Sequence, residues 1–247
     1  MTFTQVPAGV RFEWGPAGAT VLAEGCAVLV VVDVLSFSTA TAIAVERGIR
    51  VHPFPWRGDE AREYAIRIGA VAAGGRGSGE AWTLSPADLL AAPVVPDLVL
   101  PSPNGSAICA AAASTGASVV AACARNAAAV ASWLLTSGYG TEDQPIGIVA
   151  AGERWPDGSL RPSAEDLLGA ALVLDGLTAA PAGLSVEAAV ALAALTGVGD
   201  VAAAIRGSSS GRELITKGFP ADVEIAVDLN GSEVVPLVRA GAFEAAI

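Results

Sequence analysis

With a single histidine in 247 residues, a histidine-rich zinc site has no ligands to draw on. That residue, His52, lies in what reads as a strand end, Val51–Phe54, where a satisfied structural role is expected. The same scarcity disfavours a Ser-His-Asp triad. The three cysteines, Cys26, Cys109 and Cys123, are odd in number, have no C-x-x-C spacing and sit among apolar or small residues. They read as reduced structural thiols of a cytoplasmic protein. Positive charge is short as well. Lys and Arg number 14 against 25 Asp and Glu, for a net charge of −11, and nothing forms a basic stripe, so a nucleic-acid partner is not expected. No apolar run approaches the roughly 18–20 uncharged residues of a membrane span. Met1–Glu13 lacks the charged start and apolar run of a signal peptide, and no membrane association is expected.

What is present is a chain 53% hydrophobic and only 16% charged, rich in Ala and Val, with material for a substantial core. From residue 27 to residue 177, apolar runs of about five residues alternate with helical patterns. That alternation predicts a three-layer α/β/α fold with a mainly parallel or mixed central sheet. The reading is of one domain over residues 1–247, with a helical part at 180–218 as a candidate subdomain. Late in the chain, Val223–Val227 reads as a strand and Val234–Arg239 as a terminal one.

The central stretch is VLVVVDVLSFSTAT, Val28–Thr41. A run this apolar suits a strand covered on both faces, and the carboxyl end of such a strand is where an open α/β sheet usually takes its ligand. Asp33 stands at that end. It either orders the turn, with Ser38 capping the following helix, or belongs to a site.

The segments after the other strands share a chemistry. Val71 leads into GGRGSG with Arg76, and Val99 into Ser102, Asn104 and Gly105. Val119 leads into Arg125 and Asn126, and Ile148 into Gly152, Glu153 and then Glu165–Asp166. In a parallel sheet these ends share one edge. Carboxylate oxygens there suit Mg²⁺, Gly-rich backbone and helix N-termini cradle phosphate, and Arg grips phosphate oxygens in a fork. The Gly-rich loop is neither a Walker A loop nor a dinucleotide fingerprint, which weakens a nucleotide-binding reading. Haloacid-dehalogenase-type chemistry needs a second Asp two residues after the first, and Leu35 stands there.

Six segments together resemble the 2-phosphosulpholactate phosphatase family. VVVDVLSFSTATAIAVERG resembles its V-I-D-V-L-R-A-T-[ST]-T segment, LSPADL its N-S-P, and LVLPSPNGSAI its L-T-[ST]-T-N-G-T. ACARNAAAVASWL resembles its small-residue-plus-Asn segment, and IVAAGERWPDGSLRPSAEDLLGA its C-A-G…[ST]-x-E-D-x-x-x-A-G. GRELITKGFPADVEIAVDLNGSEVVP resembles its G-x-x-L-x-x-x-G-x-x-x-D-[VI] close, so the similarity runs over roughly residues 9–240 in order.

The resemblance implies a Mg²⁺-dependent phosphatase that removes phosphate from 2-phospho-3-sulpholactate, a step of coenzyme M biosynthesis. It carries over Asp33, Ser38, Thr39, Asn104, Gly105, Glu165 and Asp166. Asp33, Glu165 and Asp166 are the expected catalytic and metal-holding groups, with Ser38, Thr39, Arg76, Asn104, Gly105, Arg125 and Asn126 around the anionic substrate. Two positions depart: Ser36 stands where the family usually has Arg, and Gly75 where its Gly-Gly-Glu-Arg loop has the acid. Arg76, Arg125 or Glu80 are the groups able to compensate. The alternative is a catalytically degenerate relative that binds a small anion. The Ala-rich helices leave a homodimer open.

Overall fold

The computed structural model describes residues 2–55, 58–113 and 116–246. In chain order the elements are β1 (Val10–Trp14), α1 (Gly15–Ala23), β2 (Val28–Val32), α2 (Phe37–Glu46), β3 (Arg50–Phe54), α3 (Asp59–Ile68), β4 (Val71–Ala72), α4 (Pro86–Ala91) and β5 (Asp97–Pro101). There follow α5 (Gly105–Ala113), β6 (Ser118–Ala122), α6 (Ala127–Thr136), β7 (Ile146–Ala150), the small hairpin β8 (Glu153–Arg154) and β9 (Leu160–Arg161), and α7 (Ala164–Gly176). The last part holds α8 (Val186–Leu192), α9 (Ala194–Val198), α10 (Val201–Gly207), α11 (Ser209–Thr216), α12 (Pro220–Ala226), β10 (Pro236–Arg239) and β11 (Ala242–Ala245).

Among the described residues nine strands form one mixed sheet, ordered β1-β7-β2-β6-β10-β11-β3-β5-β4. It is two parallel blocks, β1-β7-β2-β6 and β3-β5-β4, joined through an antiparallel hairpin, β10–β11. Helices cover both faces, as a three-layer α/β/α fold requires. β2 shows why its sequence is apolar at every position. Val28, Val30 and Val32 join the cluster built with α6 and α7, while Leu29 and Val31 join the one built with α1, α2 and α5. A strand with a core on each side has no polar face to display.

The late strand expected at Val223–Val227 is instead helix α12 over Pro220–Ala226. Pro220 sits in the first turn, where its missing N–H costs nothing, and Asp222, Val223 and Ala226 are buried with helical spacing. The β-branched content of VEIAV outweighed the period in the sequence reading. The terminal strand expected at Val234–Arg239 is present as Pro236–Arg239, and its partner β11 carried too short an alternation to be read.

The central hairpin is tied to the first block by Asn126. Its side-chain oxygen accepts the Cys123 N–H at 2.8 Å, and its amide donates to the carbonyls of Ala121 at 3.3 Å and Val234 at 3.0 Å. The residue is fully buried. Asn126→Ala would leave three backbone groups without partners. It should lower stability by about 2–4 kcal/mol, read as a reduced urea midpoint at unchanged slope. A loss below about 0.5 kcal/mol, the range of neutral surface changes, would show that the latch does not hold the hairpin.

Candidate active site

The site grows from the turn after β2. Ser38 Oγ donates to the Val31 carbonyl at 2.9 Å and accepts the Asp33 N–H at 3.1 Å, and Thr39 Oγ1 donates to the Val34 carbonyl at 2.8 Å. Both hydroxyls are spent on folding the turn, and both residues are completely buried. The turn aims the Asp33 carboxyl at two helix starts. It accepts the Phe37 N–H of α2 at 3.0 Å and also the Gly105 N–H of α5. These donors carry the positive ends of two helix dipoles. Gly105 is required sterically, since a Cβ there would lie 2.3 Å from the Phe37 ring.

Around Asp33 stand three more carboxyls. Glu153, just after β7, accepts a hydrogen bond from Asn104 Nδ2 at 3.1 Å. Asp166, in the first turn of α7, is fully engaged: Oδ1 accepts the Val34 N–H at 2.8 Å, and Oδ2 accepts the Gly152 N–H at 2.9 Å and the Ser163 hydroxyl at 2.8 Å. Glu165 is buried, yet its carboxylate accepts no hydrogen bond among the described residues. Burial, followed by the charge of Glu153, pushes the Asp33 carboxyl up to about 7. Burial and the Glu165 charge raise Glu153, and burial with the Asp33 and Glu165 charges raises Asp166 well above the ordinary range. Four carboxyls thus feel one another's fields.

The positive partner is Arg76, from the Gly-rich loop after β4. Its Nε donates to Asp222 of α12 at 2.8 Å, and its Nη2 donates to Ser36 Oγ and, at 3.3 Å, to the Leu84 carbonyl. Nη1 makes no hydrogen bond among the described residues. Asp222 is buried, and it also accepts from the Ser85 hydroxyl and the Ala87 N–H. One carboxylate therefore fixes both the arginine and the start of α4. Ser36 meets the guanidinium that Arg76 brings from the opposite loop.

The structure brings together Asp33, Arg76, Asn104, Gly105, Glu165 and Asp166 from the sequence-derived set. Arg125 and Asn126 are engaged elsewhere. Arg125 pairs with Asp228 at 2.7 Å and Glu46 at 3.8 Å and donates to the Ile225 carbonyl, and Asn126 is the hairpin latch. Their place after β6 suggested anion binding, but the segment leading into the hairpin absorbs Asn126, and the end of α12 with Glu46 of α2 absorbs Arg125. Glu80 pairs with exposed Arg62 at 3.3 Å. Two residues escaped selection. Glu153 followed a strand end like the others and had only that position as a signal. Asp222, the Asp of the G-x-x-L-x-x-x-G-x-x-x-D-[VI] segment, stood just before the stretch misread as a strand and was not selected, and Pro220 at a helix start was the clue.

Mg²⁺ can be tested against these donors. All are hard carboxylate oxygens, and the charge of Glu153 acts on Asp33 as that of Glu165 acts on Glu153. Among the described residues no three of them form a ready-made cage. Mg²⁺ does not need one, because it usually takes one or two carboxylates plus water and substrate phosphate. The donor set fits. Asp166 has its oxygens committed to three donors, so Asp33, Glu153 and Glu165 are the better-placed ligands.

The raised Asp33 carboxyl has a thermodynamic consequence. Between its ordinary value near 3.8 and about 7, the unfolded chain releases this proton while the folded chain keeps it, so folding stability falls as pH rises through that window. Without divalent cations, the melting temperature of Asp33→Asn minus that of the wild type should grow from pH 4 to pH 7 and then level off. A gap that does not change with pH would show that Asp33 ionises as an ordinary carboxyl.

No single helix among the described residues is long and apolar enough to cross a membrane. Among curated proteins no relative matches the chain. Comparison with protein families matches residues 19–241 to the 2-phosphosulpholactate phosphatases. The match spans the Asp33 turn, the Arg76 loop, Glu153 and α7 alike: the chain belongs to the 2-phosphosulpholactate phosphatase family, and its chemistry is that of a phosphoric monoester hydrolase.

Proposed function

We propose that the protein is a Mg²⁺-dependent phosphatase of a small acidic phosphoester, with 2-phospho-3-sulpholactate, cleaved to 3-sulpholactate and phosphate, as the reference substrate of its family. One observation carries the reading: a buried carboxyl, Asp33, is held by the N–H groups of two helix starts within the field of both Glu153 and Arg76. A carboxylate among other carboxylates favours a divalent cation, and an arginine with free donors beside it favours a phosphoryl oxygen.

In this reading one or two of Asp33, Glu153 and Glu165 would hold the ion, with water and substrate oxygens completing its shell. Bound Mg²⁺ supplies a Lewis acid for the phosphoryl oxygens and lowers the pKa of coordinated water. Arg76 Nη1 binds the phosphoryl group, and Asp222 keeps the guanidinium plane fixed while it does so. Asn104 orients Glu153 through its amide. Asp166 holds the turns that present Asp33 and Gly152 and touches no reactant. Burial of the cluster limits competing water and strengthens each charge–charge contact.

A chelator should abolish phosphate release and added Mg²⁺ restore it. Asp33→Asn should lower kcat/KM by at least about a hundredfold, the scale of losing a group that stabilises transition-state charge. Saturable phosphoester binding without release, across a panel with Mg²⁺ or Mn²⁺, would instead establish an anion binder. Asp222→Asn should act through Arg76. KM should rise roughly tenfold, which is the loss of about 1.4 kcal/mol in substrate binding, with kcat changed less. Equal losses in both would place Asp222 in the chemical step.

A further inference from the structure

A cavity of about 440 Å³ opens beside Arg76, between the Gly-rich loop and the helical segment α11–α12. Its described lining contains three cations, Arg62, Arg76 and Lys217, and no acid. That is unusual in a chain of net charge −11 whose single lysine is Lys217. Leu84, Leu214 and Phe219 supply apolar wall, and the Phe219 ring lies 6.0 Å from the Arg76 guanidinium carbon. Arg62 and Lys217 are both well exposed and pair only with exposed carboxylates, at 3.3 Å to Glu80 and 3.7 Å to Asp59 for the first and 2.5 Å to Glu213 for the second. Exposed pairs of this kind contribute little and exchange readily for a ligand anion.

Gly75 explains the sign of the cavity. A Cβ there meets nothing within 4 Å, so the position faces open space. An acidic side chain at Gly75, as in the loop pattern this chain departs from, would project a carboxylate into that space. With glycine there the cavity is wider, and no acid stands among its described lining residues. A three-carbon acid underfills a space in the range, roughly 300–1,000 Å³, that encloses far larger ligands.

We infer that the cavity takes the alcohol portion of the substrate, and that this portion extends beyond the three-carbon acid of the family's reference substrate, with an apolar, aromatic-sized body and a second acidic group at its far end. The phosphate end lies at Arg76 Nη1. The body rests on Leu84, Leu214 and Phe219, and the distal acid reaches Arg62 and Lys217. The inference rests on the phosphatase reading for the direction in which the ester points.

The test compares kcat/KM for three phosphate monoesters on the Mg²⁺-loaded full chain: 2-phospholactate, 2-phospho-3-phenyllactate and 2-phospho-3-(4-carboxyphenyl)lactate. The phenyl ester should exceed phospholactate roughly tenfold or more, the value of burying an aromatic ring, and the carboxyphenyl ester should be better still. Gly75→Glu should erase the advantage of the carboxyphenyl ester, and Leu214→Ala and Phe219→Ala should each reduce that of the ring. Equal or poorer turnover of the two larger esters would overturn the assignment.

If none of the three is hydrolysed, the phosphatase reading fails by itself. The cavity is then judged by calorimetry with the two phosphate-free hydroxy acids. Tighter binding of 3-(4-carboxyphenyl)lactate than of lactate, lost in Gly75→Glu, supports it, and indistinguishable binding overturns it.

Discussion

A carboxylate sealed from water must find donors inside the protein, and Asp166 finds three. The Val34 N–H belongs to the turn after β2, the Gly152 N–H to the turn after β7, and the Ser163 hydroxyl to the start of α7. Each is a group that folding would otherwise strand without a partner. Meeting them on one side chain fixes the relative height of two adjacent strands and the helix that covers them. Asp33 and Glu153 project from those same two turns, one residue away from the bonded N–H groups. The placement of Asp33 and Glu153 therefore depends on a carboxyl whose oxygens are committed to three donors of the frame.

Charge is organised around that frame by opposition. The carboxyls come from β2, β7 and α7 in the first parallel block, and the arginine comes from the loop after β4, at the far edge of the second. Asp222 reaches in from α12 to hold the arginine, so the C-terminal helices complete the site rather than decorate it. Ser36 fits this arrangement. A second guanidinium projecting from that turn would compete for the space that Arg76 occupies beside Ser36 Oγ, and a hydroxyl accepts its hydrogen bond instead. The departure at Ser36 is a matched contact, whereas the one at Gly75 opens space.

Much of this was legible in the sequence, for identifiable reasons. β2 advertised itself because both of its faces are buried, and the alternation of strands and helices from residue 27 to 177 gave the layers. Strand ends gave Asp33, Asn104 and Gly105. Roles were harder to read than places. Nothing local distinguishes Glu165 from Asp166, yet one faces the site and the other is consumed by backbone donors 14 and 132 residues away. Arg125 and Asn126 occupy a strand end as Asn104 does, but the hairpin packed beside β6 comes from more than 100 residues further along. Long-range neighbours decide such cases, and no window on the sequence contains them.

The position of β10–β11 also constrains how the chain reaches its native state. The middle of the sheet is made from residues 236–245, after every other strand has been synthesised. Each parallel block can assemble around its own helices, but the edges of β6 and β3 remain open until this segment arrives. Such edges are templates for wrong pairing, and pairings so distant in sequence form slowly. Among the described strands the two half-sheets are joined only through this late segment. The carboxyls of the site lie in one half and its arginine in the other, so the hairpin that joins the halves also joins the two parts of the site.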